Sequence, residues 1–126
     1  MRFLVLVKGP ESERTREPPP EMMDVIMQLG RDAAKDGVKV EPGGLLPTKS
    51  ATRMRIDGGK LSIIDGPFSE AKEVVGGWAF YECDTREQAR AATRAYMELH
   101  LKYWPEWTGE CELRQVVEGP TMKFES

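Results

Sequence analysis

The sequence is poor in the residues that build metal and disulfide sites. Its 126 residues include one histidine, His100, and two cysteines, Cys83 and Cys111. Tetrahedral zinc sites draw most of their ligands from these residue types, and the two cysteines form no CxxC pair, so a zinc site is not expected. Widely separated thiols are typical of a reduced cytoplasmic protein rather than of a disulfide framework. We therefore predict no bound metal.

Long apolar runs and clustered basic charge are also missing. The apolar run Phe3–Val7 is too short for a signal-peptide core or a membrane span. The net charge is −3, and the basic cluster Lys49–Arg55 is interrupted by small residues, whereas nucleic-acid binding needs a concentrated basic surface. No GxxxxGK[ST] or GxGxxG pattern indicates a phosphate-binding loop. We expect a cytoplasmic protein without membrane or nucleic-acid partners.

Strand and helix patterns alternate along what is expected to be a single domain, residues 1–126, ending in a loose tail over 119–126. Gly58-Gly59 separates two strands in the manner of a two-residue hairpin. Val38–Ser50, which is rich in proline and glycine, is predicted to be an irregular connection. The predicted strands are Arg2–Lys8, Thr52–Asp57, Lys60–Ile64, Trp78–Cys83 and Cys111–Val117, and the predicted helices are Glu21–Asp36 and a second from Asp84-Thr85 to before Pro105.

This order of elements predicts the fold class. With one hairpin strand set aside, it is the α+β, ferredoxin-like split βαβ arrangement, an antiparallel sheet with two helices on one face. Phe3–Val7 is wholly apolar, and Trp78–Cys83 is apolar except for Glu82. A sheet covered on one face should give alternating strands, so both faces need cover. A second copy of the same sheet is the simplest cover, which predicts a homodimer.

Three segments resemble a known family. The run DGPFSEAKEVVGGWAFYECD, which begins at Asp65, is similar to the signature of the DGPF branch of YCII-related proteins. MRFLVLVKG resembles the first strand of that family, and MELHLKYWPEWTGECELRQV resembles the ending of one of its subgroups. The resemblance implies a dimeric α+β barrel with a ligand cleft and, for some relatives, an association with alternative sigma factors. The narrower YCII type has a proposed His–Asp pair, but no histidine follows the first strand here, so that pair is not carried over.

The loop after Asp65 holds the main candidate site. Asp65 precedes Gly66-Pro67 at a strand end, where it either accepts backbone N–H bonds that hold the turn or faces a cleft as a general base. Lys72 and Glu73 follow on the same loop, and a lysine there can anchor an anion or tune the pKa of a carboxylate. Asp65 and Lys72 are therefore predicted to be catalytic.

His100 is the third catalytic candidate. It lies one helical turn from Tyr96 and from Trp104, so the three share a helix face. A packed or capping histidine near a helix C-terminus is the favoured interpretation, and a substrate-polarising role is the alternative. The ligand-binding candidates, each of which packing or solvation also explains, are Glu73, Phe68, Trp78 and Arg53.

Two classes of function fit these residues. The first is a cofactor-free enzyme in which Asp65 moves a proton of a small polar or anionic molecule held by Lys72 and His100, as in isomerisation, dehydration or lactone chemistry. The second is a non-catalytic ligand-binding or interaction module, linked through the resemblance to sigma-factor regulation. Convergence of Asp65 and Lys72 on an enclosed pocket would favour the first class, and side chains engaged in holding turns would favour the second.

Overall fold

A four-stranded antiparallel sheet with two helices organises the chain. The computed structural model describes residues 1–11, 18–68 and 73–118. Lys72 and the predicted tail over 119–126 lie outside these residues. In chain order the elements are β1 (Arg2–Gly9), α1 (Pro20–Lys35), β2 (Lys39–Gly44), a 3-10 turn (Thr48–Ser50), β3 (Thr52–Asp57), β4 (Lys60–Asp65), β5 (Val74–Glu82), α2 (Arg86–Tyr103) and β6 (Glu110–Gln115).

The sheet confirms the predicted fold class. Its strand order is β2-β5-β1-β6, and every neighbouring pair is antiparallel. This is the ferredoxin-like α+β arrangement, in which the first and third core strands lie at the centre and each βαβ unit sends its last strand to an edge. The register between β1 and β5 shifts between Val7 and Lys8, which marks a bulge near one end of the sheet.

The segment Val38–Ser50 is a correction to the sequence prediction. It is not irregular throughout, because its first part forms edge strand β2, which pairs with β5 from Lys39 to Gly44. An edge strand tolerates Pro42, and Gly43 leaves room for the ring of Trp78 opposite it. The predicted hairpin forms, with φ of 56° at Gly58 and 78° at Gly59, but neither of its strands joins the main sheet.

The two helices begin and end where the sequence predicted, within about a turn. α1 has Pro20 in its first turn, and Gly37, at φ 85°, follows its C-terminal end. α2 begins with a capping box in which the Thr85 hydroxyl accepts the Gln88 N–H and the Gln88 side chain accepts the Thr85 N–H.

The hydrophobic core lies between these helices and one face of the sheet. Its buried members are Phe3, Val5, Ala33, Val38, Tyr81, Cys83 and Ala89. Because side chains alternate along a strand, Leu4 and Leu6 of β1 and Trp78 and Phe80 of β5 point to the opposite face, where all four are only half-buried. Among the described residues, no helix is long and apolar enough to cross a membrane.

Candidate functional site

Asp65 lies at the base of the β3–β4 hairpin. It is the last residue of β4 and pairs with Thr52, the first residue of β3. The Thr52 hydroxyl donates to Asp65 Oδ1 over 2.8 Å, and the aspartate is exposed to solvent. Within the part of the chain that the structure describes, the hydrogen-bond partner of this carboxylate is a side-chain hydroxyl across the hairpin. That bond fixes the orientation of the carboxylate and closes the base of the hairpin.

Two residues outside the hairpin, Glu11 and Thr48, hold the turn that follows Asp65. Thr48 is the first residue of the 3-10 turn. The Glu11 carboxylate accepts both the Thr48 N–H and the Thr48 hydroxyl, and Thr48 Oγ1 in turn accepts the Phe68 N–H at 3.3 Å. The Gly66 N–H donates to the Ala51 carbonyl at 2.8 Å. A Cβ at Gly66 would lie 1.7 Å from the Thr48 carbonyl oxygen, so the turn requires glycine at this position.

Phe68 anchors this turn in the protein. Its side chain is 5% exposed, and the Arg53 guanidinium carbon lies 3.9 Å from the ring centroid, a cation–π contact. Strand alternation nevertheless places Arg53 and Asp65 on opposite faces of the hairpin, since Arg53 pairs with Ile64 and Asp65 with Thr52. The structure therefore brings Asp65, Arg53 and Phe68 together at the base of the hairpin. The Asp65 carboxylate and the Arg53 guanidinium, however, lie on opposite faces of the hairpin.

The second candidate surface is the sheet face that the helices leave uncovered. We call it the open face and define it by Leu4, Leu6, Trp78 and Phe80. Leu4 pairs with Phe80 and Leu6 with Trp78, and the two aromatic rings meet edge to face with centroids 5.7 Å apart. The four residues of the open face therefore form an apolar, aromatic patch that includes Trp78, one of the predicted ligand-binding residues. Charged side chains flank this patch, since the Arg2 guanidinium carbon lies 4.8 Å from the Phe80 ring centroid and Glu41 pairs with Phe80.

A charged group formed by Lys8 of β1 with Glu112 and Arg114 of β6 borders the open face. Lys8 Nζ forms an ion pair with Glu112, and Arg114 Nε lies 3.6 Å from the other Glu112 oxygen. The Lys8 hydrogen bond lowers the pKa of Glu112, and the same bond raises the pKa of Lys8. Glu73 is exposed and adds its negative charge near Lys8. Sequence reasoning missed Lys8 because its partner is 104 residues away.

His100 occupies a different part of the molecule. It is 6% exposed, and its Nδ1 lies 3.0 Å from the Tyr96 carbonyl, which can only accept, so Nδ1 carries the proton. Its ring centroid is 4.7 Å from that of Tyr96, 6.2 Å from that of Trp104 and 4.3 Å from that of Trp107. Burial lowers the pKa of His100. These contacts belong to α2 and the loop after it, and not to the hairpin that carries Asp65.

A half-open groove of about 660 Å³ lies beside His100. Its lining includes apolar side chains of α2 and of the following loop, among them Met97, Leu101, Pro105 and Trp107. The groove is thus separate from the Asp65 turn and from the open face, neither of which contributes to its lining. The structure explains His100 by packing, and its predicted catalytic role stays a prediction.

The cysteines have the character of inert thiols. Cys83 is buried and Cys111 half-buried, and burial raises the pKa of Cys111 to about 11. A thiol with this pKa is almost wholly protonated at neutral pH and is a poor nucleophile or metal ligand. Within residues 1–11, 18–68 and 73–118, no group of three or more His, Cys, Asp or Glu side chains is placed to hold a metal ion.

These features define a class, a ferredoxin-like α+β domain with one uncovered sheet face and a projecting hairpin. The family model described as YCII-related domain matches residues 1–100. The chain belongs to the YCII-related domain family, which confirms the resemblance of its first strand and of the segment from Asp65 at the level of that family.

Comparisons with curated proteins and with solved structures give no further information about the function of this protein. No curated protein matches the chain. Among solved structures, the de novo designed protein Foldit4 is similar with a TM-score of 0.43 and 12% sequence identity over 94% of this chain and 97% of that one. A likeness this distant carries no argument about function.

Proposed function

We propose that this protein is a homodimeric, cofactor-free domain of the DGPF branch that binds a small polar or anionic molecule at Asp65. The observation that carries the proposal is the Asp65 carboxylate, which is exposed yet fixed in orientation by Thr52. A surface carboxylate held in this way on strand ends is preorganised to accept a hydroxyl or N–H of a ligand. Lys72, which follows Asp65 in the sequence, is the proposed partner for an anionic group.

Chemistry at this site would be proton transfer. In the proposal, Asp65 acts as a general base toward a molecule bound at the hairpin base, a role that needs neither a metal nor a redox cofactor. The anchoring of the turn through Glu11, Thr48 and Phe68 supports this proposal because a base must be held at a constant distance from the proton that it removes. In the proposal, His100 keeps the role of a candidate substrate-polarising group, and its contacts with α2 and the loop after it place it outside the hairpin that carries Asp65.

The dimer part of the proposal is supported by the open face. Leu4, Leu6, Trp78 and Phe80 form an apolar floor on the sheet of a small protein, and a second copy related by a two-fold axis would cover it. Two sheets facing each other in this way would give the dimeric α+β barrel that the family resemblance implies.

The test is ligand-dependent thermal stability of wild type, Asp65→Asn and Asp57→Asn. Asp57 is an exposed aspartate at the other end of the same hairpin and serves as the matched control. A panel of hydroxy acids, lactones and sugar phosphates is screened. A ligand present at about 100 times its Kd stabilises the native state by about 2.7 kcal/mol, which raises the melting temperature by several degrees.

We expect this shift in wild type and in Asp57→Asn but not in Asp65→Asn. If Asp65→Asn instead keeps the shift and loses about 1 kcal/mol of stability, the carboxylate holds the hairpin and binds nothing.

A second candidate function is a non-catalytic interaction module, linked to sigma-factor regulation as in the relatives that the chain resembles. The observation that favours it is the engagement of the Asp65 side chain with Thr52 beside a hairpin that exposes large apolar side chains. A chain that responds to none of the small molecules, while its hairpin is required for binding a protein partner, would favour this alternative.

A further inference from the structure

The groove beside His100 contains a buried acceptor to which no donor of the described chain is bound. His100 is 6% exposed, and its Nδ1 donates to the Tyr96 carbonyl at 3.0 Å. In the neutral ring the other nitrogen, Nε2, therefore has a free lone pair and can only accept a hydrogen bond. Within residues 1–11, 18–68 and 73–118, no hydrogen bond reaches Nε2. Because a buried acceptor without a donor is unfavourable, Nε2 is suited to a donor from outside the chain.

The geometry of the ring leaves Nε2 for the groove. Nδ1 is turned back onto α2, where it meets the carbonyl of the preceding helical turn. The two nitrogens lie on different edges of the ring, so Nε2 cannot share this carbonyl. Since the side chain of His100 lines the groove, Nε2 is the polar atom that it can offer to a molecule bound there.

The charges around the groove favour a neutral ligand. Among the described residues that line it, Arg94 and Glu98 are the ones with formal charges, and they pair with each other at 2.8 Å. A charged ligand would have to compete with this pair. A carboxylate would also bring its own lone pairs against the lone pair of Nε2, whereas a neutral hydroxyl can donate its proton to it.

One wall of the groove is a fixed aromatic ring. The Trp107 ring centroid lies 4.3 Å from that of His100, and the Trp107 N–H donates to the Trp104 carbonyl at 3.0 Å. A Cβ at Gly109 would lie 2.3 Å from the Trp107 ring, so glycine at this position makes room for the ring. A wall held in this way is formed before any ligand arrives, which reduces the entropic cost of binding.

The remaining lining and the size of the groove fit a small aromatic molecule. Met97, Leu101 and Pro105 add apolar surface. The volume of about 660 Å³ falls within the range of about 300–1,000 Å³ that is typical of small-molecule sites. Aromatic rings pack well on other rings, and a phenol combines such a ring with one neutral donor.

We propose that this groove binds a neutral phenol, whose hydroxyl donates to His100 Nε2 and whose ring packs against Trp107. The site is separate from the one proposed at Asp65, because no residue of the β3–β4 hairpin lines the groove. It assigns to His100 a binding role that requires no reaction.

The first test compares probes of similar shape on the wild-type protein. They are para-tert-butylphenol, its methyl ether, which cannot donate, and para-tert-butylbenzoate, which carries a negative charge. Equilibrium dialysis at neutral pH is expected to give the phenol a Kd below about 1 mM. The ether and the benzoate should bind roughly tenfold more weakly or worse, because both leave Nε2 without a donor. A phenol that shows no saturable binding, or that binds no better than its ether, overturns the proposal.

The second test removes the acceptor. His100→Phe keeps an aromatic ring and deletes both nitrogens, so its phenol affinity should fall to that of the ether while the ether Kd stays close to its wild-type value. A folded His100→Phe protein that still prefers the phenol tenfold would show that another group binds the hydroxyl.

A pair of surface variants locates the site even if His100→Phe does not fold. Leu101 and Lys102 are exposed neighbours at the end of α2, and Leu101 is the one that lines the groove. Leu101→Asp puts a carboxylate into the apolar wall and should raise the phenol Kd roughly tenfold, whereas Lys102→Asp should leave it unchanged. Equal Kd values for the two variants would place the phenol elsewhere. Asp65→Asn should bind the phenol like wild type, which separates this test from that of the Asp65 site.

Discussion

His100 shows how burial determines the behaviour of a single residue. It is the one histidine in the sequence, it donates from Nδ1 to the Tyr96 carbonyl, and burial among aromatic rings lowers its pKa. Other groups near it are Arg94 and Glu98, which line the adjoining groove and pair with each other. In the unfolded chain the histidine titrates near its ordinary pKa of about 6.5. Between about pH 6.5 and the lowered pKa of the folded state, the unfolded state therefore binds a proton at His100 that the folded state does not bind.

The prediction at this scale is a loss of stability on acidification. The neutral His100 contributes its full stability above pH ~6.5, and the contribution falls as the pH drops toward the lowered folded pKa. The slope cannot exceed ~1.4 kcal/mol per pH unit, the limit for one proton. Urea denaturation at several pH values between 5 and 8 measures it. His100→Gln should reduce the pH dependence of the free energy of unfolding between about pH 5.5 and 7. If the variant keeps the wild-type slope, another group is responsible.

Some residue-level features could be predicted from sequence and others could not. The shared face of Tyr96, His100 and Trp104 follows from helical spacing, and the ring contacts confirm it. The ion pair of Lys8 with Glu112 joins residues 104 positions apart. Only the pairing of β1 with β6 brings them together, and no local pattern encodes that register.

Among the elements, α2 has the best-defined beginning. Its capping box joins Thr85 and Gln88, and the Gln88 side-chain N–H also donates to the Asp36 carbonyl at the end of α1 over 3.1 Å. Gln88 thus takes part in the cap of α2 and also donates a hydrogen bond to the Asp36 carbonyl, directly after the last residue of α1. Because helix ends leave backbone groups without intrahelical partners, this arrangement fixes the relative position of the two helices on the sheet.

Removing the cap should destabilise the protein by a measurable amount. Thr85→Ala deletes the hydroxyl that accepts the Gln88 N–H and is expected to lower the free energy of unfolding by about 1 kcal/mol. Thr85→Ser keeps the hydroxyl and should stay within about 0.5 kcal/mol of wild type. Chemical denaturation of the three proteins at neutral pH makes the comparison. A Thr85→Ser protein as unstable as Thr85→Ala would mean that the methyl group, and not the cap, stabilises the helix.

The hairpin and β2 show why some elements were predictable and one was not. Gly58-Gly59 encodes its turn locally through positive φ, so the hairpin could be identified from a few residues. The run Pro42-Gly43-Gly44 has the composition of a turn, yet it is paired with Ala79, Trp78 and Gly77 of β5. Its strand geometry comes from tertiary pairing at a sheet edge, where proline is tolerated, and that information is absent from the local sequence.

At the scale of the whole molecule, the described residues leave apolar surfaces outside the core, in addition to the groove beside His100. The helices cover Phe3, Val5 and Tyr81 on one side of the sheet. Two further surfaces are left to solvent in a single chain: the open face, and the apolar side of the β3–β4 hairpin, formed by Met54, Ile56, Leu61 and Ile63. The doubly apolar pattern of β1 and β5 predicted the first of these surfaces. The second was not predicted, because the exposure of Met54 and Ile63 depends on the hairpin standing apart from the main sheet.

The fit of Trp78 over Gly43 allows the open face to be tested without adding a charge. A Cβ at Gly43 would lie 2.2 Å from the nearest ring atom of Trp78, so Gly43→Ala must displace the ring from its place over β2. At Gly44 a Cβ would meet nothing within 4 Å, which makes Gly44→Ala the matched control one residue away. Neither glycine has a positive φ, so neither substitution strains the backbone.

If the open face is the dimer interface, moving Trp78 should weaken assembly more than folding. An aromatic side chain at the centre of an interface commonly accounts for 2 kcal/mol or more of binding energy, so a displaced ring should raise the dimer Kd by about tenfold or more. Gly43→Ala should also change tryptophan emission, whereas Gly44→Ala should match wild type in both measurements. Sedimentation equilibrium and fluorescence spectra on the same samples give the two readouts. A Gly43→Ala protein with altered emission and an unchanged dimer Kd would place the interface elsewhere and leave the open face as a surface for a different partner.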